Sequence, residues 1–166
     1  MVRFFIFILI LFLENLILPA SIGPSQLLVT TVFIFGLLVY GNGWRTLLYQ
    51  VIPFVLITEF FTGENFGHLI IPFGLTGIIY IMMNKFIDLN QDLKRGDRSL
   101  SNLIPCILIL VVFSYIYAGL FIFFNTSYNL NTSWHEFTIF FKSSSWSLVG
   151  WSVLISVLLK YVPKKK

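Results

Sequence analysis

Six long apolar stretches fill most of this 166-residue chain and leave it few ways to fold. They run approximately over residues 3–18, 25–40, 46–61, 66–83, 103–124 and 137–159. Each approaches or meets the ~17 to 25 residues with which an α-helix crosses the ~30 Å hydrocarbon core of a bilayer. Backbone inside lipid must satisfy its own hydrogen bonds, and a helix does this within a single segment. The expected fold is all-α: a polytopic membrane protein with six transmembrane helices in one bundle. Turn-forming residues separate the first four stretches: Pro19, Gly23 and Pro24, then Gly41, Asn42 and Gly43, then Thr62, Gly63, Glu64 and Asn65. Such short connections make successive helices antiparallel neighbours. Residues 1–166 therefore read as a single integral membrane domain, with a longer loop at 84–102.

Charge orients the bundle. If the first helix starts in the cytoplasm and the path alternates, Arg3, Arg45, Lys85, Lys94, Arg95, Arg98, Lys160, Lys164, Lys165 and Lys166 all fall inside. Those are ten of the eleven basic residues, and only Lys142 falls near the outer end of the last helix. The positive-inside rule then places both termini and the 84–102 loop in the cytoplasm. With 57% apolar and 11% charged residues and a mean hydropathy of +0.89, the chain has too little polar surface for a soluble domain of its size. Its net charge of +4 lies in cytoplasmic loops and a tail, where anionic lipid head groups attract it, so nucleic acid is not an expected partner.

Other features narrow the function classes. The lone Cys106 can build neither an internal disulfide nor a cysteine metal site, and it reads as a small buried hydrophobe. Arg3 ahead of Phe4 to Leu13 resembles a secretory signal. Glu14, Asn15 and Pro19 interrupt that pattern without a small-x-small processing point, so a retained first helix is expected. In the 84–102 loop, Phe86, Leu89 and Leu93 stand at helical spacing before Gly96, which predicts a short helix on the lipid interface or a docking site. Residues 125–136 read as a polar outer loop. No phosphate-binding glycine loop, nucleophile elbow or paired-histidine zinc motif is present, so neither catalytic residues nor a cofactor nor a metal site is expected.

The residues that cost energy where they sit are the candidate functional ones. Glu14 comes eleven positions after Arg3 and Glu59 fourteen after Arg45, roughly 16 Å and 21 Å along their helices, which places both in the outer half of the membrane. A carboxylate at mid-membrane costs on the order of 2.5 to 3.5 kcal/mol, so it faces the bundle interior or a cavity. Two readings follow. Glu14, Glu59, Glu64 and His68 could gather into a proton or cation site, or Glu59 and Glu64 could flank a tight outer turn while Glu14 finds a backbone or side-chain partner such as Asn15. Small residues mark close helix approaches: Gly67, Gly74 and Gly77 in the fourth stretch, Ser114 and Ala118 in the fifth. Pro53 and Pro72 are expected to interrupt backbone hydrogen bonding in mid-span.

From the second to the fourth stretch the chain resembles the MreD family of bacterial rod-shape-determining membrane proteins. The residues that carry the resemblance are Pro24-Ser25-Gln26-Leu27-Leu28, Tyr40-Gly41-Asn42-Gly43, the run from Glu59 through Gly63 to Gly67 and His68, and Gly77. The likeness covers about 60 residues, from Pro24 to Phe86, and departs from the family at Glu59, where Asp is usual, and in its Phe- and Ile-rich helices. It implies a non-enzymatic scaffold of peptidoglycan elongation in the bacterial cytoplasmic membrane, working with MreC-like and other cell-wall elongation proteins. It also implies that Glu59, Gly63, Gly67 and the 84–102 loop are interaction surfaces. A six-helix chain of this length is similar too to the substrate-binding component of an energy-coupling-factor vitamin transporter. That likeness implies ATPase and coupling subunits as partners and an outer pocket lined by Glu14, Glu59, His68 and Trp134, although the family's Ala-rich face is missing from the first helix.

Overall fold

A computed structural model of the chain describes residues 2–14, 28–41, 43–63, 67–87, 103–126 and 129–161. Among these every regular element is helical. We label them α1 (Val2–Phe12), α2 (Leu28–Val39), α3 (the contiguous segments Trp44–Thr46, Leu47–Val51 and Ile52–Thr62), α4 (Ile70–Ile87), α5 (Leu103–Asn125) and α6 (Leu130–Tyr161). Each corresponds to one of the six apolar stretches. Among the described helices, α5 is the one both long and apolar enough to cross a membrane, while Arg3–Phe12, Val29–Val39 and Ile70–Lys85 form shorter apolar helices.

α2 lies at the centre of the described helices, packed against α1, α3, α5 and α6. All of its residues from 29 to 39 are buried. Aromatic rings fill the space around it. Phe7 of α1 stacks on Phe54 of α3 at 4.2 Å and lies 6.3 Å from Phe33 of α2. Phe73 of α4 joins Phe35 of α2 to Tyr117 of α5 at centroid distances of 5.1 and 4.1 Å. On α5, Tyr115 meets Phe141 of α6 at 5.0 Å and donates a hydrogen bond to Ser145 Oγ at 2.7 Å. Pairs of this kind add about 0.5 to 1.5 kcal/mol each beyond the area they bury. The abundance of phenylalanine is thus the packing material of the bundle.

The ring contacts also give direction. His68 just ahead of α4, and Phe73 and Tyr80 within it, meet Phe121, Tyr117 and Phe113 of α5 in turn, so these helices are antiparallel. Arg3 Nη1 donates to Gln50 Oε1 at 3.4 Å, which sets the start of α1 beside the start of α3. Following the chain from there, Arg3, Arg45, Lys85 and Lys160 gather at one end of the bundle, and the last turns of α1 and α3 lie at the other. Between the ends, the outward faces are apolar: Phe5, Leu9 and Phe12 on α1, Ile71, Leu75, Ile78 and Met82 on α4, Ile104, Leu108 and Val112 on α5.

Two expectations change. Pro53 does disturb α3, where a π-helical segment, Leu47–Val51, precedes it and Ile52–Thr62 restarts with the proline in its first turn. Pro72, by contrast, stands at the third position of α4, in its first turn, so it does not interrupt a mid-span. The second change is in the 125–136 loop, which is shorter than its polarity suggests. Asn129 Oδ1 accepts the N–H groups of Asn131 at 3.1 Å and Thr132 at 3.4 Å, an N-cap that lets α6 start at Leu130. The expected helix within 84–102 falls mostly outside the described residues.

Candidate functional site

A helix begins with N–H groups that have no partner inside the helix, and leaving one buried and unmet costs about 1 to 3 kcal/mol. Neither α2 nor α4 begins after a residue whose side chain could accept them, since Leu27 and Leu69 occupy the preceding positions. The acceptor comes from the previous helix instead. A single π turn extends α1 to Glu14, whose side chain is 1% exposed. Its Oε1 accepts the N–H of Val29 at 2.8 Å and its Oε2 that of Thr30 at 2.7 Å.

The same arrangement recurs one hairpin later. Glu59, in the last turn of α3, is 3% exposed. Its Oε1 accepts the N–H of Leu69 at 2.6 Å and of Ile70 at 2.9 Å, and its Oε2 lies 3.3 Å from the N–H of Gly67. Two glycines shape the reversal. Gly63 ends α3 in the left-handed conformation with φ +68°, and Gly67 holds φ +97° as the chain turns into α4. An L-residue with a Cβ is strained at either position.

Both carboxylates therefore lie where the positive end of a helix dipole favours them. The α1–α2 and α3–α4 hairpins become two copies of one device, in which a helix ends in a glutamate and the next helix starts on its carboxylate. Of the expected site residues, Glu59, Gly63 and Gly67 come together in the second copy. His68 is next to them, partly buried, with its ring edge-on to Phe121 of α5 at 5.7 Å. Glu14 belongs to the first copy, Trp134 is exposed on α6, and Glu64 lies outside the described residues. Among the described residues no group of three or more His, Cys, Asp or Glu side chains could hold a metal ion. Glu14 and Glu59 both hold backbone N–H groups at the start of the helix that follows them.

Deeper in the bundle, α2, α5 and α6 leave a cavity of about 20 Å³. Thr31, Ser114, Tyr117, Ala118, Phe121 and Leu148 are among the residues that line it. The small pair Ser114 and Ala118 borders this cavity. Sequence reasoning missed the double glutamate device, although a signal was present: an acid closing an apolar helix, then a turn, then a helix with no capping residue of its own.

Comparison with protein-family models, with curated proteins and with solved structures gives no match to the chain.

Proposed function

We propose that the chain is a non-enzymatic, MreD-like membrane scaffold of the bacterial cell-shape and peptidoglycan elongation machinery. On this reading it crosses the cytoplasmic membrane six times with both termini inside, and MreC-like and other elongation proteins are its partners. One observation carries the reading: the two buried carboxylates, the groups best suited to chemistry or cation binding, are both engaged with backbone N–H groups. Their role is to fix hairpin geometry, as a bundle that organises partners requires. The apolar outward faces of α1, α4 and α5 and the basic residues gathered at one end support a multi-pass orientation with that end in the cytoplasm.

The transporter-component reading needs room for a vitamin-sized ligand, and sites for such molecules occupy about 300 to 1,000 Å³. Its outer pocket would be lined by Glu14, Glu59, His68 and Trp134, and the carboxylates of Glu14 and Glu59 are taken up by backbone N–H groups, which favours the scaffold. Affinity purification of the tagged protein from native membranes in mild detergent, followed by mass spectrometry, separates the two. Recovery of MreC-like and other elongation proteins is the expected outcome. Recovery of paired ATPases with a large membrane coupling subunit would overturn the scaffold reading.

A further inference from the structure

We infer that Arg3 of α1 and Arg45 of α3 together seat the head group of an anionic phospholipid, whose acyl chains lie along the outward apolar face of α3. The inference rests on the membrane-crossing part of the reading above and not on the scaffold role. A guanidinium carries a permanent charge and five N–H donors but no acceptor, and its planar fork matches a phosphate.

Arg3 is partly buried, and its Nη1 donates at a long 3.4 Å to Gln50 Oε1, an uncharged acceptor that engages only one corner of the fork. Arg45 is exposed on α3 about one turn before Gln50, because the π-helical segment that lies between them takes five residues to close each hydrogen bond. Both arginines thus stand on the flank where α1 meets α3. The acids among the described residues are elsewhere. Glu14 and Glu59 lie at the far ends of α1 and α3, and Glu136 is in the first two turns of α6, remote from Lys160. No carboxylate among the described residues therefore stands at the basic end to neutralise it.

Two observations select a lipid over a soluble phosphate. Trp44 and Tyr49 stand on either side of Arg45 in the chain and are both exposed, as rings at the level of lipid head groups are. From the same end an apolar strip runs along α3 through exposed Leu48 and partly exposed Leu56 to exposed Phe60. Cations at one end of an apolar strip match the two parts of a phospholipid, and a free phosphate has no use for the strip.

The test uses the full-length protein in phosphatidylcholine vesicles that carry a small, equal fraction of either phosphatidylglycerol or phosphatidylcholine, nitroxide-labelled near the glycerol end of one acyl chain. The tryptophan fluorescence that disappears in Trp44→Phe reports quenching at Trp44. A basic group held near an anionic lipid contributes about a fivefold preference, so labelled phosphatidylglycerol is expected to be favoured on the order of 25-fold in the wild type and about fivefold after either Arg3→Gln or Arg45→Gln. Lys85→Gln, at the same end but on α4, is expected to change the preference by less than about twofold. Equal quenching by the two labelled lipids in the wild type overturns the proposal, whatever the variants do. A loss from Lys85→Gln as large as from the arginine variants also overturns it, because the attraction then belongs to the whole basic end. Inorganic phosphate added at constant ionic strength is expected to leave the preference unchanged, and its abolition overturns the lipid as occupant. If neither labelled lipid quenches any tryptophan, the membrane-crossing reading falls and this proposal with it, which tells the two failures apart.

Discussion

The two glutamates differ in how they share out their hydrogen bonds, and that difference predicts a ranking for their glutamine variants. Glu59 receives both of its short bonds on one oxygen, from Leu69 at 2.6 Å and Ile70 at 2.9 Å. Glutamine at position 59 can put its carbonyl oxygen there and keep both. What is lost is the charge assistance, worth about 1 kcal/mol per bond, so Glu59→Gln should cost about 2 kcal/mol. The amide NH₂ then faces the Gly67 N–H, but at 3.3 Å that contact is already long. Glu14 receives one bond on each oxygen, from Val29 at 2.8 Å and Thr30 at 2.7 Å. An amide can accept only one of these, and its NH₂ turns a donor toward the other N–H. The cost is then about 1 kcal/mol of charge assistance plus about 1 to 3 kcal/mol for a buried, unmet donor. Glu14 should therefore be the less tolerant position, by up to about 2 kcal/mol. Reversible unfolding in mixed micelles by SDS titration measures both variants against wild type. At about 2 to 4 °C per kcal/mol for a protein of this size, thermal scans should place Glu14→Gln up to several degrees below Glu59→Gln. A less stable Glu59→Gln would refute the assignment of bonds to oxygens. A change below about 0.5 kcal/mol for both would refute the capping role itself.

Three further outcomes can be checked with similar tools. On α4, Gly74→Ala should be neutral or stabilising by up to about 1 kcal/mol, because an added Cβ meets nothing within 4 Å. Gly77→Ala should be less stable, because its Cβ would stand 2.6 Å from Leu47 Cδ1, and the same unfolding assay reads both. Gly36→Ala, whose Cβ would lie 2.5 Å from Leu159 Cδ1 and 3.2 Å from Ile155 Cγ2, should cost about 1 to 3 kcal/mol by separating α2 from α6. For topology, Leu130→Cys should react with a membrane-impermeant maleimide in intact cells and Lys85→Cys should not; the reverse pattern would sink the cytoplasmic assignment of the basic end. Cys106 is fully buried, which keeps the background of that experiment low.

The helices were legible because each is announced by a long apolar run, and the ends of α5 differ from expectation by a single residue, Asn125 in place of Phe124. The start of α6 was not, because a polar run from Asn125 to Glu136 looks like a loop until Asn129 is recognised as a cap. Positions of the acids were readable from helical rise, but their purpose was not. The N–H groups that Glu14 and Glu59 hold lie 15 and 10 residues further along the chain, beyond a turn, and local capping patterns look only three residues ahead. Composition also concealed the hierarchy among the helices. The sequence of α2 is little more apolar than that of its neighbours, yet among the described helices only α2 is enclosed on all sides.

That enclosure bears on how the protein is made. During synthesis α2 leaves the ribosome well before α5 and α6, the helices that will cover Thr31 and Gly36. Until α6 is complete the most protected segment of the finished protein is uncovered, and a polypeptide halted after α4 displays a surface that the mature molecule never shows. The final helix is therefore the step that closes the core around α2.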